Sequence, residues 1–194
     1  MATAEKKGLY YTLARIVEYP WEDIRGMVDE CIEMLRHHPE YPPEVREEVE
    51  KFKKETEGMS LDELQELYSY TFEFSSDYTI DMGYHLYDGF KRANHLLKMK
   101  QIYREQGFPY DEVAKGELPD NLVVILKFLD GLTDVEVEKD IKENFLIKAL
   151  EKLYKNFELT NNECPYRHII RALLLVIDKD IKMTGDIKKE GHKA

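Results

Sequence analysis

Lysine and arginine are missing from residues 55–90, although the chain carries 28 of them elsewhere. Cysteine is nearly missing: Cys31 and Cys164 are the whole supply. Two cysteines make no disulfide framework, although one bridge between them stays open from sequence alone. No long apolar run exists. The longest, "HIIRALLLVID" at 168–178, is interrupted by Arg171 and too short to span a bilayer. The N-terminal "MATAEKKGLYY" lacks the apolar stretch of a signal peptide, so a cytoplasmic protein is expected. No glycine-rich phosphate loop, G-x-S-x-G elbow, H-E-x-x-H pair or Glu-x-x-His motif occurs. Glutamine is limited to three residues while Glu and Lys abound, a bias seen in hyperthermophile proteins. The net charge of −11, with basic residues mostly interleaved among Glu, argues against a nucleic acid as main partner.

What is present is a folded chain of 194 residues, 43% hydrophobic and 35% charged, long enough for one domain over 1–194 with a substantial core. Its periodic segments have helical spacing. Helices are expected at 8–17, 21–37, 43–57, 61–72, 89–106, 119–130, 133–157 and 165–183. Ile24, Met27, Val28, Cys31, Ile32 and Leu35 form the apolar face of the second; Val45, Val49 and Phe52 form that of the third. Ser60 with Glu63, and Thr133 with Glu136, read as capping boxes. Phe90, Ala93, Leu97 and Tyr103 are expected to line the buried face of the fifth helix, stopped by Gly107. Ile141, Phe145, Leu146, Ala149, Leu150 and Leu153 keep a helical stripe, and Gly185 is expected to end the last helix. With no hairpin signal and no internal repeat, the fold class is all-α, a helical bundle of seven to nine helices.

The basic-free stretch holds nine carboxylates: Glu55, Glu57, Asp62, Glu63, Glu66, Glu73, Asp77, Asp81 and Asp88. Its second half, "YTFEFSSDYTIDMGYHLYDGF", adds seven aromatics and reads as a loop or broken helix. An acidic surface without partners attracts cations or basic peptides. Tyrosine suits such a surface, being an apolar body with a polar tip. Asp81 with His85, and Cys164 with His168, share i, i+4 spacing, but a stable metal site needs three or four ligands. No metal and no cofactor is therefore expected, and Cys164 reads as packing at a helix start.

Three blocks, "YSYTFEFSSDYTIDMGYHLYDG", "KMKQIYREQGFPYDE" and "GELPDNLVVILKFL", follow one another between Leu67 and Leu129. In order and separation they resemble the NarJ/TorD/DmsD family of redox-enzyme maturation chaperones, in particular its NarJ-like nitrate reductase delta-subunit branch. The resemblance implies an all-α chaperone without catalytic activity. It would bind the N-terminal segment of a molybdopterin-containing catalytic subunit, often a twin-arginine leader, until the molybdenum cofactor is inserted and the subunit is docked at the membrane or exported. Carried over by position, the peptide site involves the loop at 74–87 and the segment Glu117, Leu118, Pro119, Asp120. Many members have His after that Asp. Asn121 stands here, which keeps hydrogen bonding but loses titration near neutral pH.

The expected peptide-binding set is Asp77, Tyr78, Asp81, Tyr84, Tyr87, Glu117, Pro119, Asp120 and Asn121. The loop and the 117–121 segment are expected to meet as two walls of one groove. Tyrosines there would bury the apolar part of a client, and carboxylates would face its positive groups. Two rivals stand beside this reading: a helical regulatory adaptor that binds another folded protein, and a metal- or cofactor-dependent helical enzyme.

Overall fold

The computed structural model describes residues 8–160 and 162–191, without the side chains of 185–191. The elements are α1 (Leu9–Val17), α2 (Arg25–Arg36), α3 (Pro43–Thr56), α4 (Leu61–Tyr68), α5 (Gly89–Glu105), α6 (Tyr110–Ala114), α7 (Leu122–Gly131), α8 (Val135–Asp140), α9 (Ile147–Thr160) and α10 (Tyr166–Gly191). A π-helical turn, Ser69–Glu73, prolongs α4, and another, Ile141–Leu146, joins α8 to α9. Counting 135–160 as one helical run, the described residues form nine helices and no strand; one isolated bridge pairs Asp81 with Asn121. The all-α expectation is met. Both cysteines are free and buried, and burial pushes the Cys31 thiol up to about 12.

Helix α7 is apolar nearly all round, with Leu122 to Leu126, Phe128 and Leu129 buried, as befits a central helix. It packs on α1, which in turn touches α2 and α10, while α10 lies along α3 and α9. Asp130, near the end of α7, caps the start of α1. Its carboxylate accepts from Gly8 N and Tyr11 N, both at 3.0 Å. A Cβ at Gly8 would sit 2.4 Å from that carboxylate, so a larger residue would force the carboxylate to shift from its two hydrogen bonds.

The π-helical turns have a sequence cause. Ile141, Phe145, Ala149, Leu153 and Phe157 repeat strictly every fourth residue and are all buried. On a regular helix each such step drifts by about 40° around the axis. A wider turn absorbs part of the drift and keeps the row on the core. Leu64, Tyr68 and Phe72 repeat the same device across the end of α4.

Several boundaries differ from the sequence expectation. Ser60 and Glu63 do form a capping box, but the second cap is Asp134, whose carboxylate accepts from Glu136 N and Val137 N. Helix α2 begins at Arg25, leaving Trp21 in a loop; α7 begins at Leu122, after Asn121; and α10 runs past Gly185 to Gly191. The short α6 was not expected. The largest correction is α5: Tyr103 is buried, but Phe90, Ala93 and Leu97 are exposed.

Long-range partners for the acidic run come from elsewhere in the chain. Glu55 pairs with Arg167 at 2.9 Å and meets His168 Nε2 at 3.1 Å; Glu48 meets His168 Nδ1 at 2.5 Å. Burial pulls the Glu48 and Glu55 carboxyls upward, but hydrogen bonds from Lys51, His168 and Arg167 outweigh it and hold both below their ordinary value. Depressed carboxylates stabilise the fold above their unfolded pKa of about 4.3, and that contribution fades as pH falls through the folded value. The melting temperature is therefore expected to drop on acidification below about pH 4, and Glu48→Gln should flatten part of that drop in melting curves across pH.

Candidate functional site

The loop at 78–87 and the segment 117–121 lie side by side. Met82 N donates to Asp120 O and Leu122 N donates to Ile80 O, each at 2.8 Å. Asn121 closes the junction. Its Oδ1 caps α7 by accepting from Val123 N at 2.9 Å, and its Nδ2 donates to Glu117 Oε2 at 3.1 Å.

A surface cavity of about 270 Å³ opens beside this junction. Glu117, Asn121 and α6 residues Val113 and Ala114 line it together with Glu18, Tyr19, Trp21, Tyr68, Glu73 and Ile80. The aromatics pack on one another, Tyr19 against Trp21 at 4.5 Å and against Tyr68 at 5.3 Å between centroids. Gln65 Nε2 holds the loop in place by donating to Pro20 O at 2.9 Å. Trp21 is 79% exposed. Close to Glu73 in the chain, on the π-helical turn and the residue after it, Tyr70 and Phe74 form an exposed edge-to-face pair at 5.6 Å.

The cavity is short of positive charge. Glu18 is paired with Lys127 at 3.0 Å. Among the described residues neither Glu73 nor Glu117 forms an ion pair with a lysine or arginine, although Lys115 also lines the rim. Partial burial, then Asp81, Glu73 and Glu18, raise the Glu117 carboxyl above its ordinary value. Burial and then Glu117, Glu73, Glu18 and Asp81 raise the Tyr68 phenol as well. A cationic group entering here would offset the negative charge crowded around Glu117.

The expected site residues divide sharply. Glu117 and Asn121 line the cavity, and Asp81 lies close enough to act on Glu117 electrostatically. Tyr84 is exposed, with the Arg92 guanidinium 5.7 Å from its ring centroid. Asp77 is exposed on a 3-10 turn, its carbonyl accepting from Asn156. Tyr78 is a core residue, not a groove residue: its ring packs on Phe157 at 4.6 Å and its hydroxyl bonds Thr160. Tyr87 packs elsewhere, on His95 and Phe145. Pro119 is buried, and its carbonyl accepts from Tyr103 OH at 2.7 Å.

Asp120 is the plainest correction. It is 0% exposed, and its cationic partner is Arg92 of its own chain. Its Oδ2 accepts from Gly83 N at 3.1 Å and from Arg92 Nε at 3.3 Å, while Arg92 Nη2 reaches Asp81 at 3.2 Å. It ties the loop to the 117–121 segment and frames the cavity from behind. A Cβ at Gly83 would lie 2.4 Å from that Oδ2, and the carboxylate is held by its hydrogen bonds. Gly83→Ala is expected to cost about 1–3 kcal/mol as an overpacking change, read from a denaturant melt.

Sequence reasoning missed Glu18, Tyr19, Trp21, Tyr68 and Glu73 as residues lining one cavity. Their signal was there: "EYPW" at 18–21 combines an acid, aromatics and a proline in an irregular segment, the same chemistry as the 70–90 stretch.

Fold and site together define an all-helical protein with an acid-rich, aromatic-walled surface cavity. The model of the nitrate reductase delta subunit family matches residues 38–160, and the chain belongs to that family. A Bacillus subtilis (strain 168) protein described as a probable nitrate reductase molybdenum cofactor assembly chaperone, NarJ, is 24% identical over 179 residues, covering 92% of both chains. A shorter match, 30% identical over 94 residues, is to the human 1-phosphatidylinositol 4,5-bisphosphate phosphodiesterase eta-1. It spans 46% of this chain but 5% of that enzyme, too small a part for its activity to bear on this one.

Proposed function

We propose that this chain is an assembly chaperone for a molybdenum-cofactor oxidoreductase, working in the cytoplasm by binding the N-terminal segment of the catalytic subunit. The observation that carries the reading is the pair Glu73 and Glu117, without cationic partners among the described residues, lining one aromatic cavity and close enough to act on each other electrostatically. An arginine or lysine side chain in an otherwise apolar peptide matches that chemistry: stem against Tyr19 and Tyr68, charge toward the carboxylates. The similarity to the Bacillus subtilis chaperone over nearly the whole chain supports the same role. The roles of Asp81, Tyr84 and Asp77 belong to the approach to this cavity. Asp120, Tyr78 and Pro119 serve by holding its frame.

The test is calorimetric titration with a synthetic peptide carrying the N-terminal segment of the molybdoenzyme catalytic subunit from the same organism. Each charge-assisted contact shielded from water contributes about 1.5–3 kcal/mol, so Glu73→Gln or Glu117→Gln should weaken binding roughly tenfold or more. The loss should be larger at low salt than at high salt. Replacing arginine by glutamine in the peptide should reproduce it. A chain that ignores the isolated peptide but captures a folded partner is the regulatory adaptor instead.

A further inference from the structure

Helix α5 is covered on one side only. Of its 17 residues, Met99 and Tyr103 are buried. Phe90 is 89% exposed and Leu97 67%. At about 100° per residue, Phe90, Ala93, Leu97 and Arg104 share the sector opposite Met99 and Tyr103. Lys91, Lys98 and Lys100 flank that stripe. The helix holds five basic residues and one acid, in a chain of net charge −11. Arg92 turns inward to Asp81 and Asp120, and Lys98 reaches Asp140 at 3.4 Å. Lys91 and Arg104 form no ion pair among the described residues. The inner face meets the 117–121 segment through Tyr103 and Arg92. The outer stripe therefore points away from the cavity of its own molecule.

An apolar, cationic stripe and an acidic, aromatic cavity on one chain are complementary surfaces that cannot meet within a single copy. We infer that the outer face of α5 docks on the cavity of a second copy, Phe90 and Leu97 against the exposed Trp21, Tyr70 and Phe74, and Lys98, Lys100 and Arg104 toward Glu73 and Glu117. This rests on the reading of the cavity as a site for cationic, apolar segments. The contact is head-to-tail, joining unlike patches. The stripe is short, so the interface falls below the roughly 1,000 Å² of a stable complex and forms only at high chaperone concentration. Its consequence is regulatory: where the chaperone is concentrated and client is absent, self-association covers the cavity, and client peptide displaces it.

Sedimentation velocity of the full chain tests this. Wild type is expected to sediment faster as concentration rises from micromolar toward millimolar at low salt. Added salt or saturating client N-terminal peptide should return it to monomer. Phe90→Ser with Leu97→Ser alters two exposed side chains, so its melting curve should match wild type while self-association weakens about tenfold or more. A charge exchange gives the sharper result. The triple variant Lys98→Glu, Lys100→Glu, Arg104→Glu and the double variant Glu73→Lys, Glu117→Lys should each lose self-association, yet associate when mixed. A wild type that stays monomeric, a Phe90→Ser/Leu97→Ser chain that still associates, or a mixture that does not, overturns the inference. The double variant also separates the two readings. Lost self-association with intact peptide affinity upholds the head-to-tail contact and removes the peptide site. Lost peptide affinity with intact self-association does the reverse.

Discussion

Asp120→Ala lowers the melting temperature by roughly 10 °C. The carboxylate is fully buried and accepts from the buried Gly83 N–H and from Arg92. Alanine leaves the Gly83 donor unsatisfied, at about 1–3 kcal/mol, and strips Arg92 of one of its two carboxylates. Breaking a buried pair from one side costs about 3–5 kcal/mol, and the remaining Asp81 partner and partial exposure of Arg92 keep the total near the lower figure. About 3 kcal/mol in a chain of this size shifts melting by roughly 2–4 °C per kcal/mol. Asp120→Asn should fall between wild type and alanine, since an amide oxygen still accepts from Gly83 N. Peptide affinity, measured well below the melting transition, should change far less than for Glu117→Gln. If Asp120→Asn melts like wild type and loses only peptide binding, Asp120 belongs to the site and not to its frame.

Asp120 also shows where the sequence stops being informative. An Asp beside a helix start, in an acidic segment that resembles a peptide site, looks like a groove residue. Only the tertiary fold brings Gly83 and Arg92 onto it. The same holds for Glu55 and Asp81, whose partners Arg167 and Arg92 lie outside the basic-free window. Helices α1 to α4 were readable because their apolar residues fall on one stripe each. Helix α5 has two stripes, Phe90, Ala93 and Leu97 on one side, Met99 and Tyr103 on the other. Periodicity cannot say which of two is covered, and the expectation merged them. The π-helical turn at 141–146 was hidden in plain view, since a strict four-residue repeat over 141–157 is incompatible with an unbroken α-helix facing one core. For the site, composition pointed to acidic aromatic chemistry, and the family resemblance pointed to Glu117 and Asn121, which line the cavity. Adding Glu18, Tyr19 and Trp21 to that lining required knowing that the loop after α1 folds against α4.

Lys142→Met is expected to be among the most damaging single changes outside the cavity. Lys142 is 5% exposed on the π-helical turn. Its ammonium donates to Asp180 Oδ2 at 2.8 Å and to Glu138, and lies 4.8 Å from the Tyr10 ring centroid. Asp180 on α10 also accepts from the hydroxyls of Tyr10 on α1 and Tyr41 before α3. Burial first, and then Asp180, raise both phenols above their ordinary value, so they remain donors at any pH the fold experiences. One cation thus balances a carboxylate on which four parts of the chain converge. Methionine fills the volume but leaves Asp180 buried without its counter-charge. Removing one partner of such a pair costs about 3–5 kcal/mol, a drop of roughly 10 °C or more in melting. Adding Asp180→Asn to Lys142→Met removes the stranded charge; the amide oxygen still accepts from one tyrosine, and the amide NH2 can donate to the hydroxyl oxygen of the other. The double variant should therefore recover about 1–3 kcal/mol, a coupling that a denaturant-melt double-mutant cycle reads directly. Strict additivity of the two changes would mean that Lys142 and Asp180 do not act as a pair. Peptide affinity at low temperature should stay within about twofold of wild type in all three variants, because none of Lys142, Asp180, Tyr10 and Tyr41 lines the cavity. A selective loss of peptide binding in Lys142→Met, with melting unchanged, would instead place the buried lysine in the binding apparatus.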